Sequence, residues 1–234
     1  MKTEPPASTM EQARTKYFMR DFRNFMRKAH GFTDEDFVRA APIIRDMVLA
    51  SKEPDPREMF DRILRDFAPL WTKPAFPTNA DWHHFLVPGT VLCALRNCGY
   101  AIKDDEIVEG MGRGESLLGG SCGFAGSCGG AYSVGIILSM VRKTNPIHET
   151  ERSEIMRAVA ETLRKIADQP RRCCKRSSYI AIREAVRHLH ALGYDRLNAV
   201  DRECAWHSQN KTCFGVQCPF YPRRKSFPGD GDVS

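Results

Sequence analysis

The sequence predicts a mainly α protein: a helical domain with a glycine-rich cysteine loop and a small, irregular, cysteine-rich C-terminal segment. Three observations carry that prediction. Apolar residues recur at helical spacing through most of the chain, and no alternating run is long enough to support a sheet. Glycine, proline and capping residues punctuate the periodic stretches where helices should stop and start. With 234 residues, the chain can bury one substantial core without disulfide staples. The last forty residues leave room for a short hairpin.

The elements follow in order. Residues 1–9 and 223–234 are rich in Pro, Ser, Gly and charge and are expected to be disordered. Residues 10–68 read as a helical N-terminal layer. Its first helix runs from about Met10 to His30, with Phe18, Phe22 and Phe25 on one side and a solvated basic face opposite. Thr33 and Asp36 have the spacing of a capping box that opens a second helix reaching about Ser51, and Asp55-Pro56 with Glu58 starts a third. The proline-spaced stretch from Pro69 to Pro77 reads as a linker or a loop wrapping the surface.

Residues 80–222 form the predicted cysteine-rich helical domain. Pro88 reads as a helix start, with Val91, Leu92 and Leu95 facing inward and Cys93 and Cys98 filling core. From Gly110 to Gly130 the chain is glycine-dominated, with Glu109, Arg113 and Glu115 beside the loop. An apolar helix follows from Gly130 to Val141 and an amphipathic one through Ile155, Val159, Thr162, Leu163 and Ile166, ended by Pro170. The RRCCKR stretch reads as a turn, and Ser177 or Ser178 as the cap of a last helix closed by Gly193.

Composition and charge bound the function. The net charge of +6 is modest and the arginines are spread along the chain, so nothing singles out nucleic acid as a partner. The N-terminus carries no apolar run of signal-peptide length, and the run Ala131 to Val141 is too short to cross a bilayer, so no membrane partner is expected. A cytoplasmic protein is the expectation. Thiols stay reduced there, and nine cysteines, an odd number, then point to ligands or catalytic groups.

Seven of the nine cysteines lie in three short polar or glycine-rich stretches. The glycine loop repeats a unit, Gly120-Ser121-Cys122-Gly123 and Gly126-Ser127-Cys128-Gly129, whose bulk-free flanks let a cofactor approach the main chain. Cys122, Cys128, Gly120 and Gly126 are therefore candidate cofactor-binding residues. In RRCCKR, basic neighbours and a following helix N-terminus should lower a thiol pKa, making Cys173 and Cys174 candidate nucleophiles and Arg172 and Lys175 candidate anchors for a cofactor or an anionic substrate. Cys204, Cys213 and Cys218 are candidate metal ligands, with Cys174, another cysteine or, for zinc, His207 completing the set. Their stretch has few periodic apolar residues, so ligation would supply its order. His84, beside His83, is a candidate base or ligand.

The set HHFLVPG, EGMGRG, GGSCGFAGSCGGA, RCCKR and the final Cys-Pro resembles an uncharacterised family, a domain of unknown function from anaerobic bacteria and archaea. Some of its members look joined to S-adenosylmethionine-dependent methyltransferases. The resemblance covers about residues 80–220 and implies methyl-transfer or sulfur metabolism, with a methyltransferase or redox protein as partner and a small molecule or sulfur species as substrate. A fainter likeness joins GMGRGE and CGGAYSVG to redox-active proteins with a CGCAxxG-type pattern. The expected function is a cytoplasmic iron–sulfur protein using its cluster or a thiolate for sulfur, methyl or redox chemistry, leaning to an enzyme or its accessory. The alternative is a zinc-binding structural or recruitment module without turnover.

Overall fold

The computed structural model describes residues 33–169 and 171–223, and among these it has helices and irregular segments but no strand. The mainly α class is what the periodicity predicts. The helix expected over Met10 to His30, the stretch 1–9 and the tail from residue 224 lie outside the described residues.

Helix α1 spans Asp34–Ala50 and opens with the capping box its sequence spells. The Thr33 N–H donates to the Asp36 carboxylate at 2.8 Å, and the Asp36 N–H donates to the Thr33 hydroxyl at 3.3 Å. Burial alone would push the Asp36 carboxyl up, but Lys73, Thr33 and Arg39 outweigh it and hold the group at about 2. Helix α2 (Pro56–Phe67) is capped by Asp55, which accepts from the Arg57 and Glu58 N–H groups. A single 3-10 turn, Ala68–Leu70, leads into an irregular stretch that packs Trp71 and Phe76 against Trp82.

Helix α3 (Trp82–Asn97) is the central element, in contact with α1 and α2 and with three helices that follow it. It is apolar on every side, as a helix surrounded by others must be. Pro88 does not start it, as the sequence suggested, but lies six residues inside. The missing Pro88 N–H frees the His84 carbonyl, and the Ser133 hydroxyl, whose single hydrogen is shared with the nearer Gly129 carbonyl at 2.8 Å, stands 3.1 Å from that oxygen.

The glycine-rich stretch also begins later than expected. Asp104–Glu115 is helix α4, in which Gly110 and Gly114 face α3. A methyl group on Gly110 would overlap Leu92 Cδ1 and one on Gly114 the His84 carbonyl. Those glycines are there for close helix approach, and the true loop is 116–128. It includes a one-turn helix, α5 (Ser121–Phe124). Helix α6 (Gly129–Arg142) then packs on α3 and α4, and α7 (Glu149–Ala167) lies along α6.

Helix α8 (Cys174–Ala191) starts earlier than expected, within RRCCKR. Cys173, not Ser177 or Ser178, is its cap: the Cys173 sulfur accepts from the Arg176 N–H at 3.4 Å. Lys175 and Arg176 thereby fall in its first turn and are buried. Gly193, at φ +87°, closes the helix as predicted. The remaining chain to Arg223 is irregular, with one 3-10 turn at Gly215–Gln217 and no hairpin. No helix among the described residues is long and apolar enough to cross a membrane.

Candidate functional site

Two helix N-termini meet beside the first turn of α3, because α6 and α8 cross where Gly130 rests on the Ser177 carbonyl. A methyl group there would stand 3.0 Å from that oxygen. Cys128 caps α6, and Cys173 and Cys174 open α8. Both helices bring their positive dipole ends to this place, which suits negative charge.

The glycine loop delivers Cys122 to the same place, and the repeated GSCG unit explains how. The Ser121 hydroxyl donates to the Ser127 carbonyl at 2.9 Å, and the Ser127 N–H donates to the Ser121 carbonyl at 3.3 Å. The two serines zip the loop shut and bring both cysteines to one end. Gly120 and Gly126 take the left-handed conformation, at φ +78° and +62°, that side chains other than glycine resist.

Arg172 is the hub of this group. Its guanidinium is hydrogen-bonded to the Cys122 thiol and interacts electrostatically with Cys174 and Asp81. Burial would lower its pKa, but these three neighbours outweigh it, so the cation is secured. The preceding residue, Arg171, adopts a left-handed backbone (φ +60°), held by Arg176 Nη2 donating to the Arg171 carbonyl at 2.6 Å. The turn is thus pinned from within α8.

Burial works against the activation that basic neighbours suggest for Cys174. Cys174 keeps some exposed surface, yet the protein crowded around it pushes its thiol up to about 12, against the pull of Arg172 and with the push of Cys128, Cys173 and Cys122. Burial likewise raises Cys128, although the Gly130 and Ala131 N–H groups and the Ser177 hydroxyl favour its thiolate. Burial thus favours the protonated thiol at Cys174 over the thiolate at neutral pH. A bound metal ion would deprotonate it. Cys122 is exposed.

His84 belongs to the site and sits in the first turn of α3 rather than in a loop. Its Nδ1 lies 3.3 Å from the Leu117 carbonyl. A carbonyl only accepts, so Nδ1 carries the hydrogen and Nε2 keeps its lone pair, the arrangement that ligating histidines adopt. The ring presses on Gly129, the residue after Cys128: a methyl group on Gly129 would overlap it. Burial first and Arg172 next hold His84 below its ordinary range, against the Leu117 carbonyl.

Behind this group is a buried polar cluster that the sequence did not disclose. Lys175 is fully buried, with Nζ 2.9 Å from His83 Nε2, and His83 Nδ1 donates to the Ala80 carbonyl at 2.6 Å. Burial lowers Lys175 to about 8, and burial and Lys175 hold His83 well below its usual range. Asp61 pairs with Arg57 and accepts from the Tyr179 hydroxyl at 2.8 Å. Asn79 and Asn210 tie the layers together. The Cys174 N–H donates to Asn79 Oδ1 at 2.7 Å, and Asn210 Nδ2 donates to the Cys173 sulfur at 3.4 Å.

The C-terminal cysteines are placed differently from one another. Cys204 faces Tyr179, whose hydroxyl is 3.8 Å from its sulfur, and interacts electrostatically with Cys173. Cys213 accepts from the Gly215 N–H at 3.4 Å, and Cys218 is packed into the core. Among the described residues, no group of three or more His, Cys, Asp and Glu side chains is gathered closely enough to hold a metal ion, either at the C-terminal cysteines or around Cys122, Cys128 and Cys174. Asp81, Asn79 and Asn210 are the site residues that sequence reasoning missed. Asp81 stands beside the two histidines in sequence, but only the fold reveals its proximity to Arg172.

A model described as "Family of unknown function (DUF5714)" matches residues 44–221. The chain belongs to that family, whose match spans every cysteine discussed above. Comparison with curated proteins finds no match, and comparison with solved structures finds none.

Proposed function

We propose that this protein carries a cysteine-ligated iron–sulfur centre in the cytoplasm serving sulfur, methyl or redox chemistry, for which Cys122, Cys128 and Cys174, with Cys173 and His84 at the margin, would have to draw closer together than they stand in this structure. The observation that carries the reading is the meeting of the glycine-loop thiols with the start of α8 around Arg172. Two helix N-termini and a guanidinium form a cationic cradle, and thiolates bound to a metal are what such a cradle neutralises. Donors already aimed at sulfur support it, since hydrogen bonds to ligating sulfurs set the potential of such centres. They are the Arg176 N–H and the Asn210 Nδ2, both at Cys173. Cys204 interacts with Cys173 from the C-terminal segment, a further thiol within the same region. A methyltransferase or redox partner would take the product of this chemistry, with a small molecule or sulfur species as substrate.

The test is purification without oxygen, followed by iron and acid-labile sulfide analysis. Brown protein that bleaches in air is expected, with Cys174→Ser and Cys128→Ser each losing most of the iron. Colourless protein holding stoichiometric zinc would replace the proposal with a structural zinc module. Iron content unchanged in both variants would remove these cysteines as ligands.

A further inference from the structure

An apolar cleft opens between α1 and the turn that follows α2. Ala40 and Ile43 of α1 line one side, and Phe67, Leu70 and Trp71 line the other. Its volume is about 170 Å³, close to the roughly 150 Å³ of a cavity that takes one benzene ring. Ile43 and Leu70 are 40% and 52% exposed at this cleft. One exposed aliphatic side chain is ordinary, but two that line the same ring-sized cleft, backed by the buried Phe67, mark a place where an apolar group is received.

The chain carries the complement in its own sequence. Helix α1 starts at Asp34 with Thr33 as its cap, and the segment Met10 to His30 before it bears Phe18, Phe22 and Phe25 on one side at helical spacing. Gly31 and Phe32 alone separate that segment from the cap. Two amphipathic stretches joined so closely pack antiparallel, as in an αα-hairpin. Counted outward from a turn at residue 32, Phe25 falls opposite about residue 39 and Phe22 opposite about residue 42, within the stretch of α1 that lines the cleft. The charges complement as well. The segment holds Arg14, Lys16, Arg20, Arg23, Arg27 and Lys28 against Glu11 and Asp21. Within one helical turn of cleft-lining residues stand Glu35, Asp46 and Asp66, exposed and without an ion pair among the described residues.

We propose that this cleft is the docking site of the chain's own segment 10–30, with the Phe25 ring seated between Ile43 and Leu70 and Phe22 beside it on α1. Trp71 belongs to the aromatic stack that includes Phe76 and Trp82, so the docked segment braces the first turn of α3 from outside. The docking stands whether or not the cysteine site holds a cluster.

Limited proteolysis of the full chain tests it. Phe25→Asp places a charge on the incoming ring, and Leu70→Asp and Ile43→Asp place one on either side of the cleft at positions already exposed. Each is expected to speed tryptic cleavage within residues 10–32 about tenfold, and Phe25→Asp combined with Leu70→Asp no further than either alone, because one contact is then broken twice. Parent cleaved there as fast as the variants overturns the docking, and so do additive effects. A dimeric parent that these variants convert to monomer shows that a second copy fills the cleft, and overturns it as well. Hydrogen exchange of the parent decides the matter even where a variant fails to fold. Amides of residues 19–29 should exchange about tenfold or more slowly than in a free peptide of residues 10–30, and exchange at the peptide's rate overturns the docking.

Discussion

Cys174 shows how little a sequence neighbourhood says about a thiol. Four basic residues surround the pair in RRCCKR, and chain proximity alone argues for an activated thiolate. In the fold, Arg172 turns to Cys122 and Asp81, Lys175 to His83, and Arg176 to the Arg171 carbonyl. Burial then dominates and pushes Cys174 up to about 12. A thiol raised that far is held overwhelmingly protonated at pH 7, so it should resist alkylation in the metal-free folded protein. Timed iodoacetamide labelling read by mass spectrometry should find Cys122 modified first and Cys174 and the buried Cys93 last. Because Cys174 is raised, its labelling should speed up steeply as pH climbs from 7 towards 12. Fast labelling of Cys174 at pH 7 would show an activated nucleophile instead.

At the scale of elements, local signals were legible where they are local in origin. The Thr33–Asp36 capping box, the Asp55 cap and Gly193 were all readable, because each acts within four residues of itself. Pro88 and the glycines of α4 misled for the opposite reason. Their setting comes from neighbouring helices: the Ser133 hydroxyl, shared with the Gly129 carbonyl, approaches the His84 carbonyl that Pro88 leaves free, and α3 fills the space that Gly110 and Gly114 leave. The glycines of α4 therefore divide into two kinds. Gly114→Ala would drive a methyl group into the His84 carbonyl and the Phe85 Cα, backbone that cannot swing aside. It should cost about 3 kcal/mol and disturb the first turn of α3, where His84 sits. Gly112 has open space where its Cβ would be, and Gly112→Ala should raise stability by about 0.5–1 kcal/mol through helix propensity. Urea unfolding of the two variants checks the pair, and equal effects would mean that α3 and α4 are less closely packed than described here.

Across the whole molecule, the gathering of distant segments is what a single sequence conceals. That the cysteine stretches are special was legible from their glycine and basic flanks. That Asn79, Asp81 and Asn210 fasten them together was not, because these residues sit in stretches without periodicity and act across 95 or more positions in two of the bonds. The C-terminal segment is the clearest case. Its few apolar residues suggested that metal ligation must supply its order, but those few are large and well placed. Trp206 packs on Phe76 and over Lys175, Phe220 meets Tyr179 edge-on, and Leu197 is fully enclosed. Asn210 adds bonds to the Thr78 and Asn79 side chains. Burial of two aromatic rings outweighs the ordering cost of a short irregular segment more readily than its composition implies. Trp206→Ala should therefore cost about 3–5 kcal/mol and open residues 198–223 to limited proteolysis. Cys213→Ser, which removes only a sulfur accepting the Gly215 N–H, should leave the segment as resistant as the parent even after chelation. If Cys213→Ser opens the segment and Trp206→Ala does not, the order of this region comes from a metal ion after all, and the iron–sulfur ligands must be sought among Cys204, Cys213 and Cys218.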